Sequence, residues 1–204
     1  MNKTNIGLVA YCKEQVGRPY WFGTFGQVAD RWLLDYNKSR FPGTYANPDY
    51  ERQLGQRVHD CSGLIKGYMW SETPDSTPKY GSGGFADMDA DTMRNKCGAR
   101  PISTLPEMPG VLVFMPDHVG VYIGGGEVIE ARGHAYGVVR TKLKERGWMY
   151  WGYLPGIEYQ AITEKTSDKL SKVKAWAVEN GLADKPLTVT DLIKVLEMME
   201  ETEK

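Results

Sequence analysis

The chain has 204 residues, of which 41% are hydrophobic and 25% are charged, a composition typical of one folded domain with a small appendage. Its 25 basic and 26 acidic residues balance to a net charge of −1, so we expect neither nucleic acid nor a membrane surface as a partner. The 3 cysteines have neither the spacing of a disulfide framework nor that of a zinc site, and we expect reduced thiols.

No stretch approaches the ~18 consecutive apolar residues of a transmembrane helix, and the N-terminus lacks the apolar core of a signal peptide. We therefore expect the protein to be made in the cytoplasm without an export signal of its own. The sequence gives no indication of the oligomeric state.

The first half of the chain predicts helices joined by loops. Residues 4–16 carry apolar residues at helical spacing and end at Gly17. A turn with an aromatic cluster follows at 17–23, and residues 30–58 contain breakers that favour a helix followed by a loop. Further helices are predicted over residues 62–70 and 87–96.

The second half predicts strands. From Pro109 the pattern changes to an alternation of apolar and polar residues, interrupted by a glycine turn at 124–126. Strands are predicted at 111–115, 118–123, 127–132 and 138–141, with a fifth inside 148–159. A helix that packs on a consecutive antiparallel sheet is an α+β architecture.

The composition shifts after Tyr159. Residues 161–204 are charged, with apolar residues at helical spacing and a break at Asn180–Gly181. This segment predicts a two-helix appendage of ~40 residues, which is too small to be stable unless it packs on another surface. Residues 1–160 then form the main domain.

The chemistry centres on His59–Ile65, with the sequence His-Asp-Cys-Ser-Gly-Leu-Ile. Cys61 stands where a turn runs into an apolar helical pattern, and the positive end of a helix dipole favours thiolate over thiol. The alternative is a buried structural thiol, which we expect for Cys12 and Cys97. His59 lies two residues before Cys61, and we expect it to shape the site rather than to act as the base.

His118 opens the second predicted strand and supplies the imidazole that a cysteine hydrolase needs beside its thiol. If the hairpin turn centres on Gly125, His118 lies opposite Arg132 and diagonal to Glu130, on one face of the sheet. Glu130 is then placed to orient the imidazole. His134 is a weaker candidate for the same role.

Four segments in chain order carry a family resemblance. They are Gly17–Gly23 (GRPYWFG), Asp60–Ile65 (DCSGLI), Pro109–Phe114 (PGVLVF) and His118–Gly124 (HVGVYIG). Together they cover roughly residues 5–155 and resemble the motifs of the NlpC family (NlpC and p-sixty) of papain-like cell-wall cysteine peptidases. The resemblance implies a papain-like fold in which the nucleophile helix packs on a central antiparallel sheet.

The same resemblance implies a role for each matching residue. Cys61 is the nucleophile, His118 is the general base, and Tyr20 carries a hydroxyl that helps to bind the oxyanion or the substrate. Asp60 and Ser62 flank the nucleophile and are further candidates for oxyanion or substrate binding. The backbone N–H of Cys61, at the helix start, would be another oxyanion donor.

Three features depart from the family pattern. The third polar residue of the family is usually His, Asn or Gln, whereas this chain has Glu130; a carboxylate can still orient an imidazole and raise its basicity. Val111 replaces the usual Asp of the Pro-Gly-Asp-Leu strand, which we interpret as a structural change. The insert between Tyr20 and Cys61 is longer than in minimal members, and substrate contacts can lie there.

The resemblance implies a peptidoglycan hydrolase that cuts stem-peptide amide bonds, most typically between γ-D-glutamate and the diamino acid. The reaction forms an acyl-enzyme on Cys61, with His118 protonating the leaving amine and later activating water, and it needs no metal or cofactor. The expected lack of an export signal and the small appendage favour a phage or prophage lysin that is released by a separate pore, or a tail-associated wall hydrolase.

Three alternatives stay open. An N-acetylmuramoyl-L-alanine amidase uses a similar Cys–His pair on a neighbouring bond, and the shape of the groove decides between the two. A non-catalytic wall-binding module would keep the scaffold with an unreactive Cys61. An intracellular acyltransferase or deamidase on the papain-like plan would need a partner or acyl-donor site that the sequence does not reveal.

Overall fold

The computed structural model describes residues 3–73 and 76–160. The appendage predicted for 161–204 lies outside the described residues. The helices are α1 (Asn5–Gln15), α2 (Arg31–Arg40), α3 (Asp49–Arg52), α4 (Cys61–Trp70) and α5 (Ala90–Lys96). The strands are β1 (Phe25–Val28), β2 (Arg57–His59), β3 (Arg100–Pro101), β4 (Leu112–Met115), β5 (His118–Gly124), β6 (Glu127–Ala131), β7 (Val138–Lys142) and β8 (Tyr150–Gly152).

The main sheet is antiparallel, with the strand order β3-β8-β4-β5-β6-β7. Strands β4 to β7 follow one another as a meander, which confirms the predicted consecutive hairpins. The fifth predicted strand, β8, does not extend the meander at its end. It returns to pair with β4, and the short β3 pairs with its other edge. The α+β class is confirmed.

Helix α4 lies at the centre of the fold. All of its residues except Cys61 are buried, so the helix has no solvent-exposed face. Leu64 and Ile65 belong to the main hydrophobic core together with Val119 of β5, and Leu8 of α1 joins the same core. In the described part of the chain, no helix combines the length and the apolarity needed to cross a membrane.

The two faces of the main sheet are both covered, but they carry different residues. Along β5, Val119 faces the core around α4, whereas His118 and Tyr122 face the opposite side because successive side chains of a strand alternate. That opposite side carries a smaller apolar cluster, which includes Tyr122, Val128 and Trp148. The imidazole of the candidate site therefore shares a sheet face with aromatic side chains.

Residues 25–59 hold more structure than the sequence predicts. Strands β1 and β2 form a two-stranded antiparallel sheet, and a second core forms around Trp21, Tyr45 and Tyr50. Tyr20 bridges His59 of β2, so this unit fixes the chain just before α4. The two strands escape prediction because each is too short to show an alternating pattern.

Candidate active site

The nucleophile candidate Cys61 is the first residue of α4, and Asp60 caps that helix. The Asp60 carboxylate accepts hydrogen bonds from the backbone N–H of Gly63 and from that of Gly23, the latter at 2.9 Å. The Ser62 hydroxyl donates to the same carboxylate at 3.1 Å. Such a cap satisfies N–H groups that have no partner inside the helix. The structure thus gives Asp60 and Ser62 a capping role; a substrate contact by either stays a prediction.

The start of α4 packs directly on a neighbouring backbone. A Cβ on Gly63 would lie 1.8 Å from the carbonyl O of Thr24. The same carbonyl accepts the N–H of Asp60 at 2.9 Å. Only glycine fits such a close approach. The glycine of the Asp-Cys-Ser-Gly motif therefore lets the helix start lie against the segment that leads into β1.

The Cys61 thiol lies against the turn between β4 and β5. Its Sγ is 4.0 Å from the carbonyl O of Asp117, and the backbone N–H of Val119 also interacts with it. Asp117 and Val119 are the two neighbours of His118, so the turn brings the imidazole-bearing residue to the thiol. Asp117 has φ = 57°, a left-handed conformation that Asp tolerates better than most residues. This lets Met115 and His118 pair across a tight turn.

The thiol of Cys61 holds its proton strongly. Its pKa is raised to about 12, first by burial and second by the nearby Asp60 carboxylate, against the opposing effect of the N–H groups of Ser62 and Val119. The N–H groups at the helix start thus favour the thiolate, as expected of the helix dipole, but burial outweighs them. The thiol therefore keeps its proton near neutral pH unless a base accepts it, and His118 is the candidate for that base.

His118 is held by Glu130. The two side chains meet at 2.7 Å between His118 Nε2 and Glu130 Oε2, so Nδ1 is the ring nitrogen that Glu130 does not engage. Val121 pairs with Ile129 across the hairpin, the register expected for a turn centred on Gly125. The predicted diagonal placement of His118 and Glu130 is thus confirmed.

The His118 ring also stacks on Trp148, with ring centroids 5.5 Å apart and an angle of 17° between the planes. Gly120, two residues along β5, makes room for this ring. A Cβ there would lie 2.9 Å from the Trp148 ring and 2.7 Å from Val128 Cγ1. The imidazole is therefore held by a hydrogen bond at its edge and by an aromatic ring on its face.

Glu130 is fully buried, at 0% exposure, and both of its oxygens accept hydrogen bonds. Besides His118, the donors are the Thr141 hydroxyl at 2.7 Å and the Arg146 guanidinium at 2.9 Å. Burial by itself would raise the pKa of Glu130, but the hydrogen bonds from His118, Arg146 and Thr141 outweigh it and lower the pKa to about 2. The carboxylate is therefore ionised at neutral pH.

Tyr20 stands beside the thiol. Its backbone bridges His59 of β2, and its phenol lies close enough to Cys61 and Asp60 to interact with their charges. The pKa of Tyr20 is raised well above its ordinary value, first by burial and then by Cys61 and Asp60. The hydroxyl therefore keeps its proton and can donate a hydrogen bond, as an oxyanion donor must.

His59 is a core residue. Its ring is fully buried, and its Nε2 lies 2.9 Å from the Tyr11 hydroxyl. The pKa of His59 is lowered to about 3, first by burial and then by the charges of Arg57 and Arg18. Its neutral ring and its backbone bridge to Tyr20 agree with a role in shaping the site rather than in accepting the proton.

His134 packs on Tyr50, with ring centroids 4.3 Å apart. Its Nδ1 is buried and has no hydrogen-bond partner. The residue that contacts the ring of His118 is Glu130, through the hydrogen bond at 2.7 Å. Of the two candidate orienting residues, the structure therefore favours Glu130.

The other thiols have the environment expected of structural cysteines. Cys12 is fully buried in the main core, and Cys97 is partly buried. Burial raises the pKa of both thiols. Val111, which stands where the family usually has Asp, is fully buried in the cluster that contains Trp148, in agreement with a structural change.

Three residues of the site are missed by sequence reasoning: Thr141, Arg146 and Trp148. Arg146 lies in a charged segment, residues 142–146, which as a sequence resembles a solvent-exposed turn. The available signal is indirect, because a carboxylate that is buried beside a histidine requires further donors or a cation. Within residues 3–73 and 76–160, no group of three His, Cys, Asp or Glu side chains is placed to hold a metal ion.

The chain matches one protein family and several solved structures. The sequence model of the NlpC/P60 family matches residues 49–154, whereas no curated protein matches the sequence. The peptidoglycan hydrolase RipB from Mycobacterium tuberculosis is 19% identical, with a TM-score of 0.47 over 76% of this chain and 65% of RipB. The chain thus spans just under two thirds of the RipB chain.

Two further structures have a similar relation to the chain. The P60 domain of the antigen MAP1204 from M. avium subspecies paratuberculosis is 21% identical, with a TM-score of 0.48 over 76% of this chain and 96% of that domain. RipD from M. tuberculosis, a non-catalytic NlpC/p60 domain protein adapted to peptidoglycan binding, is 15% identical, with a TM-score of 0.44 over 73% of this chain and 95% of RipD.

Proposed function

The chain belongs to the NlpC/P60 family, which includes cysteine peptidases and peptidoglycan hydrolases, and we propose that it hydrolyses the bond between γ-D-glutamate and the diamino acid in peptidoglycan stem peptides. One observation carries the proposal. The thiol of Cys61 lies against the residues that flank His118, and a buried carboxylate, Glu130, holds the His118 ring. A cysteine nucleophile works with a base that a third group orients, and the proximity of these residues supports that assignment.

The first half of the reaction forms an acyl-enzyme. The proton of Cys61 Sγ moves to Nδ1 of His118, and the thiolate attacks the carbonyl carbon of the stem peptide. The resulting oxyanion accepts hydrogen bonds from the Cys61 backbone N–H and from the Tyr20 hydroxyl. The C–N bond then breaks as the His118 imidazolium delivers its proton to the leaving amine, which leaves a thioester on Cys61.

The second half releases the product. His118 takes a proton from water, and the hydroxide attacks the thioester carbonyl. The C–S bond breaks, the acid product leaves, and the sulfur regains a proton from the imidazolium. Glu130 remains ionised throughout and stabilises the imidazolium in both halves, in the way that a buried carboxylate supports histidine in other triads.

Digestion of purified peptidoglycans with different stem chemistry tests this function. Wild-type protein is expected to release fragments with a new diamino-acid N-terminus, identified by mass spectrometry, and Cys61→Ala is expected to release none. Cys97→Ala is the matched control, because Cys97 is a partly buried thiol outside the site. Equal loss in both cysteine variants would contradict a specific role for Cys61.

The same experiment separates the alternatives. Sugar chains freed from intact stem peptides would identify an N-acetylmuramoyl-L-alanine amidase. Retention of the protein on the wall without any cleavage, together with a Cys61 that does not react with iodoacetamide, would identify a binding module. Either result would replace the endopeptidase proposal.

The substrate also leads us to propose a place of action. A wall hydrolase works outside the cytoplasm, and a phage-type lysin reaches the wall through a separately made pore. The test is expression in a bacterial host with and without such a pore-forming protein. The host is expected to lyse only when the pore-forming protein is expressed together with this chain. Lysis without the pore-forming protein would contradict lysin-type release.

A further inference from the structure

Glu130 is itself inaccessible to solvent and accepts hydrogen bonds on both oxygens. Oε1 accepts from the Thr141 hydroxyl at 2.7 Å and from Arg146 Nε at 2.9 Å. Oε2 accepts from Arg146 Nη2 at 2.9 Å and lies 2.7 Å from His118 Nε2. The guanidinium thus binds both oxygens at once, the bidentate geometry in which arginine holds a carboxylate most strongly.

A buried carboxylate requires a compensating charge. A neutral imidazole and a hydroxyl supply hydrogen bonds but no charge, and an uncompensated buried ion tends to take up a proton instead. The cation that the structure places on Glu130 is Arg146, and a guanidinium is charged at every relevant pH. Glu130 therefore keeps its negative charge whether or not His118 carries a proton.

Arg146 also contacts the second support of the imidazole. Its guanidinium carbon lies 5.9 Å from the centre of the Trp148 ring, and that ring stacks on His118. The hydrogen-bond partner of the imidazole and its stacking partner are thus both in contact with one side chain.

We propose that Arg146 is a positioning residue of the active site, which holds Glu130 ionised and oriented and through it sets the orientation and the proton affinity of His118. The consequence for catalysis rests on the proposed function. The consequence for the imidazole does not, because it follows from the contacts alone.

Other titratable or charged groups lie in the same part of the chain or of the site, and they stay unchanged in the test. The Asp60 carboxylate lies near the thiol of Cys61 at the start of α4. Asp117 precedes His118 in the turn, and Arg132 follows the last residue of β6. A change seen on removal of the guanidinium alone therefore reports on that group.

Without the guanidinium, the buried Glu130 carboxylate has no positive charge beside it. The next proton to bind then goes to either the carboxylate or the His118 imidazole. The Glu130–His118 pair then binds that proton more tightly, whichever of the two groups carries it. We expect Arg146→Met to raise the apparent pKa of the pair by about one unit or more. Arg146→Lys keeps the charge but loses the bidentate grip, so a smaller rise is expected.

NMR titration of the histidine rings measures this pKa directly, since the chain contains 3 histidines. His59 is fully buried and its pKa is lowered to about 3, which leaves two rings to follow. A His134→Gln variant identifies the signal of His118. All variants are made in a Cys61→Ala background, which removes the titration of the thiol.

Arg31→Met is the matched control, because Arg31 forms an ion pair with Glu51 on the exposed surface. A rise with Arg146→Met, a smaller rise with Arg146→Lys and none with the control supports the proposal. A folded Arg146→Met variant that titrates like its parent overturns it. If Arg146→Met does not fold, Arg146→Lys decides instead, and a titration identical to that of the parent overturns the proposal.

A double variant tests whether Arg146 acts through Glu130. In a Glu130→Gln background, Arg146→Met is expected to shift the His118 titration much less, because no buried negative charge remains to be balanced. If Arg146→Met shifts the His118 titration as much in the Glu130→Gln background as it does with Glu130 present, the guanidinium acts on the imidazole directly. That result would overturn the proposal that Arg146 acts through Glu130.

Digestion of a soluble stem-peptide fragment connects the proposal to catalysis. Arg146→Met is expected to lower kcat at least about ten-fold with little change in KM, and to shift the pH–rate profile in the direction of the NMR titration. If wild-type protein cleaves no stem peptide, the proposed function fails, whereas the NMR titration still decides the role of Arg146.

Discussion

Two buried carboxylates lie beside Cys61 and His118, and they differ in how strongly they bind a proton. Asp60 is 7% exposed and precedes Cys61, and Glu130 is 0% exposed and holds His118. Burial raises the pKa of Asp60, and the charge of Lys66 and the neutral donors around the carboxylate oppose this effect only in part. The pKa of Glu130 is instead lowered to about 2.

The difference comes from the donors rather than from burial. Asp60 is bound by backbone N–H groups and by the Ser62 hydroxyl, which fix the geometry of a helix start without supplying charge. Glu130 is bound by a guanidinium, which compensates its charge, and by an imidazole. We therefore expect Asp60, at the start of α4, to fix the position of the sulfur, and Glu130, in the β5–β6 hairpin, to affect the proton affinity of the imidazole.

The largest effect is expected for Glu130→Gln. The amide cannot stabilise the imidazolium and leaves the Arg146 guanidinium without a counter-ion. We expect kcat on a soluble stem-peptide fragment to fall by about 10²–10⁴-fold and the free energy of unfolding to fall by about 3–5 kcal/mol. Steady-state kinetics and urea unfolding measure the two losses.

Asp60→Asn is the matched variant on the helix side. The amide keeps one acceptor oxygen for the cap but loses the acceptor on the other side of the group, where Asp60 binds the N–H of Gly23 or of Gly63. We therefore expect a loss of about 1–2 kcal/mol in the free energy of unfolding and a smaller fall in kcat than for Glu130→Gln. Equal losses of kcat in the two variants would contradict the view that Asp60 fixes the geometry of the helix start and Glu130 stabilises the charge of the imidazolium.

A smaller effect, with opposite signs at the two sites, is expected in the pH dependence of stability. Glu130 has an ordinary pKa of 4.5 and a folded-state pKa of about 2, so its stabilising contribution is present above pH 4.5 and is lost as the pH falls through about 2. The pKa of Asp60 is raised above its ordinary 3.8, so its ionised form destabilises the fold at neutral pH and its protonated form does not.

Urea unfolding from neutral pH to about pH 3 measures both signs. As the pH falls, the free energy of unfolding of the wild type should come closer to that of Glu130→Gln. Over the same range, the free energy of unfolding of the wild type should rise relative to that of Asp60→Asn. Parallel curves for the two variants would contradict opposite shifts in the pKa of the two carboxylates.

The smallest effect is expected for His134→Gln. His134 packs on Tyr50, and the hydrogen bond to His118 comes from Glu130. We therefore expect kcat to stay within about two-fold of the wild-type value. A ten-fold loss with an unchanged melting temperature would restore His134 as a participant in the reaction.

The hairpin part of the fold is predictable from the sequence because its contacts are local. The register of β5 on β6 follows from the glycine turn at 124–126, so residue spacing alone is enough to place His118 and Glu130 diagonally. The pairing of β1 with β2 and the return of β8 to β4 are not predictable in this way. Each joins segments that are distant in sequence, and the strands are too short to show a pattern.

The identity of the site residues is more predictable than their proton affinities. Residue type and spacing point to Cys61, His118 and Glu130, but the pKa of Cys61 depends on how deeply the helix start is buried, which packing decides. Arg146 escapes notice for a related reason. In sequence it is one charge among several, and it becomes the partner of Glu130 only after β6 and β7 have paired.

The order of the site residues along the chain has a consequence for the newly made protein. The base, its carboxylate, the arginine and the stacking tryptophan all lie within residues 118–148, whereas the sulfur belongs to Cys61. The meander can form through local contacts, which assemble early and quickly, but the thiol acquires its base only when α4 docks. An incompletely folded chain therefore carries a cysteine without the neighbouring turn of His118, and the two halves of the site come together only in the folded protein.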